Sequence, residues 1–108
     1  MSELFFCAYR ALTERDPWIK CELVSALRHR WRSDALLMQP DAPLPDILVA
    51  GHPQRPELVH PRDLPHRGLG TAEGRAALIH AVVHIEFNAI NLALDAICRF
   101  RHLPAEYY

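Results

Sequence analysis

A chain of 108 residues, half of them hydrophobic and 23% charged, has the composition of one small globular domain rather than a disordered segment. The net charge of −1 gives no reason to expect nucleic acid or an anionic membrane as a partner, and no run approaches the roughly 18 apolar residues of a membrane span. The three cysteines form an odd set without CxxC spacing, which argues against disulfides and a zinc knuckle and indicates a reducing, cytoplasmic setting.

Residues 1–38 are predicted to form a helical hairpin. The first helix, at residues 3–13, is indicated by apolar residues at helical spacing: Leu4, Phe5, Ala8, Ala11 and Leu12. Asp16 and Pro17 are typical of an N-cap and a first helical position, so a second helix is expected from there to about Ser33. Its apolar stripe would consist of Ile19, Leu23, Val24, Leu27 and Trp31.

Residues 39–70 are predicted to be an extended segment that wraps over the surface. Seven of the nine prolines lie between Pro40 and Pro65. Each proline removes a backbone donor and restrains the residue before it, so regular helix is not expected there, and no run alternates well enough to predict a sheet. Apolar anchors favour a wrapped segment over a free linker: Leu44, Ile47, Leu48, Val49, Leu58, Val59 and Leu64.

Residues 71–103 are predicted to form one long helix, followed by a tail at 104–108. Thr71 is a good N-cap, and Glu73 places a negative charge in the first turn, where the helix dipole favours it. No breaker follows before Pro104, so the helix is expected to reach about His102 and to be roughly 45 Å long. It is apolar around more than half of its circumference, which is typical of a central element with partners on several sides.

One carboxylate interrupts the apolar side of this helix. Glu86 lies one turn after Val82 and one turn before Ile90. An ionised carboxylate buried among apolar side chains is very costly, so it must be neutral, paired or bound to a metal. The pattern leaves two interpretations open: an Arg or Tyr elsewhere pairs with Glu86, or Glu86 is a metal ligand that projects into a bundle core.

A polar stripe follows the adjacent side of the same helix and consists of His80, His84, Asn88, Asn91 and Asp95. Two histidines at i and i+4 can bind a metal, but the HExxH arrangement is missing. The stripe favours a hydrogen-bonded polar seam against a neighbouring element, in which Asn88 and Asp95 would satisfy backbone groups of the proline-rich segment. His80 and His84 stay minor candidates for a metal site.

Two shorter motifs are interpreted as coincidences. Glu57 and His60 have the ExxH spacing of di-iron helices, but they lie between two prolines, where the interior of a long helix is not expected. Gly68, Gly70 and Gly74 look like part of a phosphate loop, but the spacing does not fit the dinucleotide fingerprint and no strand precedes them. We expect the glycines to form the turn from which the long helix starts.

Four segments carry a family resemblance: residues 56–59 (PELV), 65–70 (PHRGLG), 73–78 (EGRAAL) and 84–96 (HIEFNAINLALDA). With these segments the chain resembles the bacterial ferritin-like family catalogued as domain of unknown function 455. The resemblance covers nearly the whole chain and is densest from residue 56 onward. That family has no settled activity and is similar in fold to di-iron carboxylate proteins, including hydroxylases that act on a modified tRNA adenosine.

The resemblance implies that Glu86 is the first-helix carboxylate of a di-iron pattern, with iron or manganese as the metal and His84 beside it. Members of the family continue into further long helices, which carry the Glu-x-x-His motif. A site of this type needs a Glu from each of two helices and two such motifs. The expectation is therefore an all-α, incomplete four-helix bundle: the N-terminal part of a ferritin-like protein, truncated or split, that binds metal only when further helices complete it and is inactive alone.

Two other functions are kept as alternatives. An apolar girdle on a long helix is also typical of an interaction module that self-associates or pairs with another helical protein without catalysis. The weaker alternative is a tRNA-modifying, hydroxylase-like role, which rests on analogy of fold and has no support from the near-neutral charge.

Overall fold

The computed structural model describes residues 2–46, 49–54 and 68–108. This part of the chain is all-α, as predicted, and contains three helices: α1 at Leu4–Thr13, α2 at Pro17–Arg32 and α3 at Ala72–Arg99. A 3₁₀ turn follows at Ala105–Tyr107. The helices begin and end close to the bounds expected from the apolar spacing and the caps.

The N-caps of α2 and α3 are the predicted residues. The side chain of Asp16 accepts hydrogen bonds from the backbone N–H groups of Trp18 and Ile19, at 2.9 and 3.2 Å. Thr71 Oγ1 accepts one from Gly74 N at 3.0 Å. These bonds satisfy donors that have no partner inside the helix, so the caps fix where α2 and α3 start.

Helix α1 is the centre of the fold, because it packs against both α2 and α3. The five residues of its predicted apolar stripe are all buried: Leu4, Phe5, Ala8, Ala11 and Leu12. Leu27 from α2 and Leu94 and Cys98 from α3 complete this core together with Leu36. The small side chains of Ala8 and Ala11 let the neighbouring helices approach α1 closely.

A small parallel strand pair ties the two ends of the hairpin together, and the sequence pattern did not predict it. Strand β1, Ser2–Glu3, pairs with β2, Leu36–Leu37, with Ser2 opposite Leu36. Glu3 also caps α1 by accepting from Phe5 N and Phe6 N, and it accepts from Gln39 N at 3.0 Å. Two-residue strands are too short to show an alternating pattern, so no periodicity signals them.

The described parts of the proline-rich segment contain no helix, as expected. Leu44 packs against the core, whereas Val49 is exposed, so only the first of these two predicted anchors is confirmed. The other predicted anchors (Ile47, Leu48, Leu58, Val59 and Leu64) lie outside the described residues, as do Glu57 and His60. Gly51 is buried and donates its N–H to Leu12 O at 2.7 Å, which holds this part of the segment on the hairpin.

Helix α3 ends at Arg99, three residues before the predicted end. The chain turns after Phe100, and the residues predicted to be a tail fold back toward the core. The ring of Tyr108 meets Phe5 edge-on with the ring centroids 5.5 Å apart, and its hydroxyl donates to Phe100 O. The end of α3 was predicted from Pro104, because the residue before a proline disfavours helical geometry. That rule is local and takes no account of the packing of Tyr108, so the predicted end came too late.

The start of α3 is the tight turn that the glycines predicted. A Cβ at Gly74 would lie 1.6 Å from Gly68 O, so a side chain there would collide with the incoming backbone. Arg75 also donates to Leu69 O at 3.2 Å and braces the turn. The glycine at position 74 therefore serves close backbone packing, not a phosphate.

Candidate functional site

One side of α3 packs on the rest of the chain and the other side is open. Asn91, Leu94 and Cys98 are buried against α1 and its neighbours. The rest of its surface carries exposed large apolar side chains, between 49% and 71% accessible: Leu78, Ile79, Val82, Val83, Ile85 and Leu92. We call these six residues the open face of α3. The prediction that α3 has partners on several sides is wrong for the described chain, which covers one side only.

Glu86 lies on this open side and is exposed. The prediction that it is a buried carboxylate in need of a partner is therefore wrong for the described chain, because a solvated carboxylate carries no desolvation penalty. The prediction was based only on the apolar neighbours of Glu86 on α3, and such neighbours as Val82 and Ile79 are themselves exposed. Glu86 thus becomes a carboxylate on an apolar surface, and its role depends on what covers that surface.

His80 and His84 line a small pocket away from Glu86. The pocket holds about 140 Å³, and His52, Val83 and Phe87 also line it. His80 is exposed and His84 is half-buried. Within residues 2–46, 49–54 and 68–108, no three His, Cys, Asp or Glu side chains are grouped so that they could hold a metal ion. The described residues therefore bring together neither the histidines with Glu86 nor a complete set of ligands.

Of the predicted polar stripe of α3, only Asn91 is buried among the described residues, and its partner is a lysine that the sequence pattern did not single out; His80 and Asn88 are exposed. Lys20 is completely buried. Its Nζ donates to Leu12 O at 3.0 Å, to Gly51 O at 2.8 Å and to Asn91 Oδ1. Asn91 Nδ2 also donates to Gly51 O at 3.4 Å. Within the described part of the proline-rich segment, it is Asn91 that bonds to the backbone, and neither Asn88 nor Asp95 does so there; Asp95 pairs with Arg99 at 2.6 Å.

The Lys20 ammonium joins three parts of the chain at one point. It has three N–H donors and meets three oxygen acceptors, so its hydrogen-bonding capacity is fully used. The ring of Phe87 lies 5.1 Å from Nζ and adds a cation–π contact. One signal in the sequence pointed to this burial: Lys20, Val24, Leu27 and Trp31 follow one another at i, i+4, i+7 and i+11, on one face of α2.

Burial lowers the pKa of Lys20 from 10.5 to about 8, while the nearby Glu14 carboxylate opposes the shift. Below pH 8 the lysine is protonated in both the folded and the unfolded chain, and folding bears the full cost of burying the charge. Between pH 8 and 10.5 the unfolded chain binds the proton that the folded chain has released. Stability therefore rises with pH in this window.

We expect Lys20 to contribute an increase of about 3 kcal/mol in the free energy of unfolding between pH 8 and pH 10.5. Urea denaturation at fixed temperature, followed by helix content across this pH range, measures it. Lys20→Met removes the titrating group, so the difference between wild type and Lys20→Met isolates the contribution of Lys20. The assignment would be contradicted if the free energy of unfolding of wild type, relative to that of Lys20→Met, stayed constant or fell as pH rises.

Cys98 is a packing residue. It is buried, and its Sγ lies 3.9 Å from Phe5 O. Burial raises the pKa of the Cys98 thiol to about 11, and Asp95 adds to the effect. Since the thiolate is the reactive form of cysteine, this thiol is not suited to nucleophilic chemistry at neutral pH. Cys7 and Cys21 are free thiols as well.

Helix α3 is long and apolar enough to cross a membrane, with a mean hydropathy of 1.5 over an 18-residue stretch. The expectation that no segment approaches a membrane span is therefore corrected as far as length and hydropathy are concerned. Composition argues the other way, because the helix carries Glu86, two histidines and two asparagines, which are costly in a bilayer. Its contacts with α1 and Lys20 are those of a helix in a bundle.

Comparison with known proteins identifies a family for this chain. Residues 13–108 match the family described as "Protein of unknown function (DUF455)". A protein of Haemophilus influenzae, described as "Uncharacterized protein", is 45% identical over 93 residues, which cover 83% of this chain and 32% of that protein. No solved structure matches.

The chain thus belongs to the DUF455 family, and it spans about a third of the length of the Haemophilus influenzae relative. The family and the relative carry no described activity. The family membership confirms the resemblance to domain of unknown function 455, whereas the ferritin-like fold and the metal site stay predictions. The site has to be interpreted from the geometry of this chain.

Proposed function

We propose that this chain is the N-terminal part of a cytoplasmic ferritin-like protein in which further helices cover the open face of α3 and complete an iron or manganese site with Glu86 as one ligand. The observation that carries the proposal is the position of Glu86, a carboxylate in the middle of an apolar helix face that α1 and α2 leave uncovered. A covering helix would enclose Glu86 among apolar side chains, where a carboxylate that stays ionised needs a cation beside it.

The described residues fit one ligand of such a site and not the whole set. A bound metal pair would supply redox chemistry with oxygen, as in other bundles of this type. Glu86 would hold one position of that pair, whereas the half-buried His84, two residues earlier in the sequence, lies on the other side of the helix and faces away from Glu86. No reaction step is assigned to the chain, because the remaining ligands would come from other helices.

The test is the metal content of the completed assembly. We expect this chain, co-expressed with the unmatched remainder of the Haemophilus influenzae relative, to purify with about two iron or manganese ions per assembly. Glu86→Gln should lower the metal content by at least half, because it keeps the size of the side chain and removes the anionic ligand. Glu73→Gln, which changes an exposed carboxylate in the first turn of the same helix, should retain the wild-type metal content.

Three outcomes would overturn the proposal. An assembly that forms but takes up no metal when iron or manganese is supplied would show that Glu86 is not a ligand. Metal bound stoichiometrically by residues 1–108 alone would show that the site does not need further helices. Equal metal content in wild type and Glu86→Gln would remove Glu86 from the ligand set.

A second candidate is an interaction module without catalysis, favoured by the size of the open face, whose six side chains are each at least 49% exposed. Contiguous apolar surface of this kind marks a binding interface in soluble proteins. Sedimentation of the chain at several concentrations separates the two candidates. A stable homodimer that contains no metal would favour the module, whereas a chain that dimerises only weakly and binds the remainder of the relative favours the ferritin-like protein.

A further inference from the structure

An apolar groove of about 370 Å³ runs between α2 and α3. The buried side chains of Leu4 and Leu94 form its floor, Trp31 stands on the α2 side, and Ile90 and Ile97 stand on the α3 side. Both helices pack against α1, and the groove lies between them. The groove is thus bounded by two helices over about two turns, which is the shape that a third helix fills by ridge-into-groove packing.

Two arginines lie on the α2 edge of this groove. Arg28 and Arg32 both line it, both are exposed, and they are one helical turn apart. Neither forms a hydrogen bond or salt bridge with any residue in the described part of the chain. A pair of guanidinium groups beside an apolar groove selects for carboxylates on whatever fills the groove.

The groove leads directly to Glu86. Glu86, Ile90, Ala93 and Ile97 are spaced at i, i+4, i+7 and i+11, so they form one row along α3. The last three residues of this row line the groove. A helix seated in the groove would therefore extend along α3 to Glu86 within one further turn.

We infer that this groove is the seat of one amphipathic helix from the remainder of the family's longer polypeptide, and that this helix carries two carboxylates at i and i+4 opposite Arg28 and Arg32. The inference rests on the proposed function and names the contact by which the bundle is completed. The length comparison supports the source, because the matched part is 32% of the Haemophilus influenzae relative.

A second copy of the chain is a poorer occupant. The described helices contain four carboxylates, at Glu22, Glu73, Glu86 and Asp95. No two of them are spaced at i and i+4, so none of these helices presents the pair that Arg28 and Arg32 require. The charge pattern therefore favours a helix from outside the described residues over self-association.

The experiment measures binding of the fluorescently labelled remainder of the Haemophilus influenzae relative to this chain, with a chelator present so that metal plays no part. Single variants Arg28→Glu and Arg32→Glu should each raise the Kd about tenfold, because a salt bridge is replaced by repulsion. Arg10→Glu reverses an exposed charge on α1, away from the groove, and should leave the Kd within about twofold. Helix content checks that each variant is folded.

Equal Kd values for all three variants, or failure of the remainder to bind the wild-type chain, would overturn the inference. So would sedimentation showing a homodimer that Arg28→Glu disrupts, because the occupant would then be a second copy. Glu86→Gln separates this inference from the proposed function. Equal binding by wild type and Glu86→Gln, together with equal metal uptake by the two assemblies when the chelator is omitted, would refute the metal site and keep the groove, whereas metal uptake with no effect of the arginine variants would do the reverse.

Discussion

Replacing Lys20 by alanine is expected to lower the free energy of unfolding by about 4 kcal/mol, the largest effect of any single substitution considered. The truncation empties a fully buried position and removes the donor for Leu12 O, Gly51 O and Asn91 Oδ1. Asn91 Oδ1 would keep no donor among the described residues. Urea denaturation at pH 7, followed by circular dichroism, measures the loss.

Lys20→Met separates packing from hydrogen bonding in this effect. Methionine fills most of the space of the lysine side chain and avoids the cost of burying a charge, so we expect a smaller loss of about 2 kcal/mol. If Lys20→Ala were within about 1 kcal/mol of wild type, the buried ammonium would not hold the three segments together, and the central role given to it would be wrong.

Replacing Gly51 by alanine is expected to lower the free energy of unfolding by about 3 kcal/mol. The added Cβ would lie 2.3 Å from Glu14 O and 2.5 Å from Thr13 O, and these backbone atoms end α1 and cannot swing aside. Gly51 would have to move away. That movement would break its bond to Leu12 O and pull its own carbonyl oxygen from Lys20.

Gly70→Ala is the matched control, because a Cβ at Gly70 meets no atom within 4 Å and the backbone there has no positive φ. We expect Gly70→Ala to change stability by less than about 1 kcal/mol, and to stabilise the chain if anything, since alanine restricts the unfolded state. Equal losses for the two alanine variants in the same urea experiment would show that the close approach at Gly51 is not what limits substitution.

The helices were predictable from local signals, and their partners were not. Each of these signals, the caps at Asp16 and Thr71 and the apolar stripe of α1, involves residues close together in sequence. The bounds of the helices could therefore be predicted to within a few residues. The stripe of α2 was predicted less well: Leu27 is buried, but Ile19 is 45% exposed, and Lys20 takes the buried place beside it. A lysine in a core is rare, and only its three acceptors, from positions far apart in sequence, make it possible.

The candidate site was predicted only in part for the same reason. The apolar neighbours of Glu86 on α3 indicated a buried carboxylate, but burial depends on a covering element that the described chain does not contain. The polar seam was foreseen on the correct face, although Asn91 rather than its neighbours makes the contact. The groove between α2 and α3 had no local signal at all, because it arises from the way that both helices rest on α1.

The most direct test of the central claim is manganese binding to the completed assembly. Binding is monitored through the loss of the electron paramagnetic resonance signal of free Mn²⁺. The account predicts that the wild-type chain with the remainder of the Haemophilus influenzae relative withdraws Mn²⁺ from solution at a defined stoichiometry, and that Glu86→Gln withdraws markedly less while Glu73→Gln does not differ. Identical titration curves for the wild-type and Glu86→Gln assemblies, both fully formed, would contradict it.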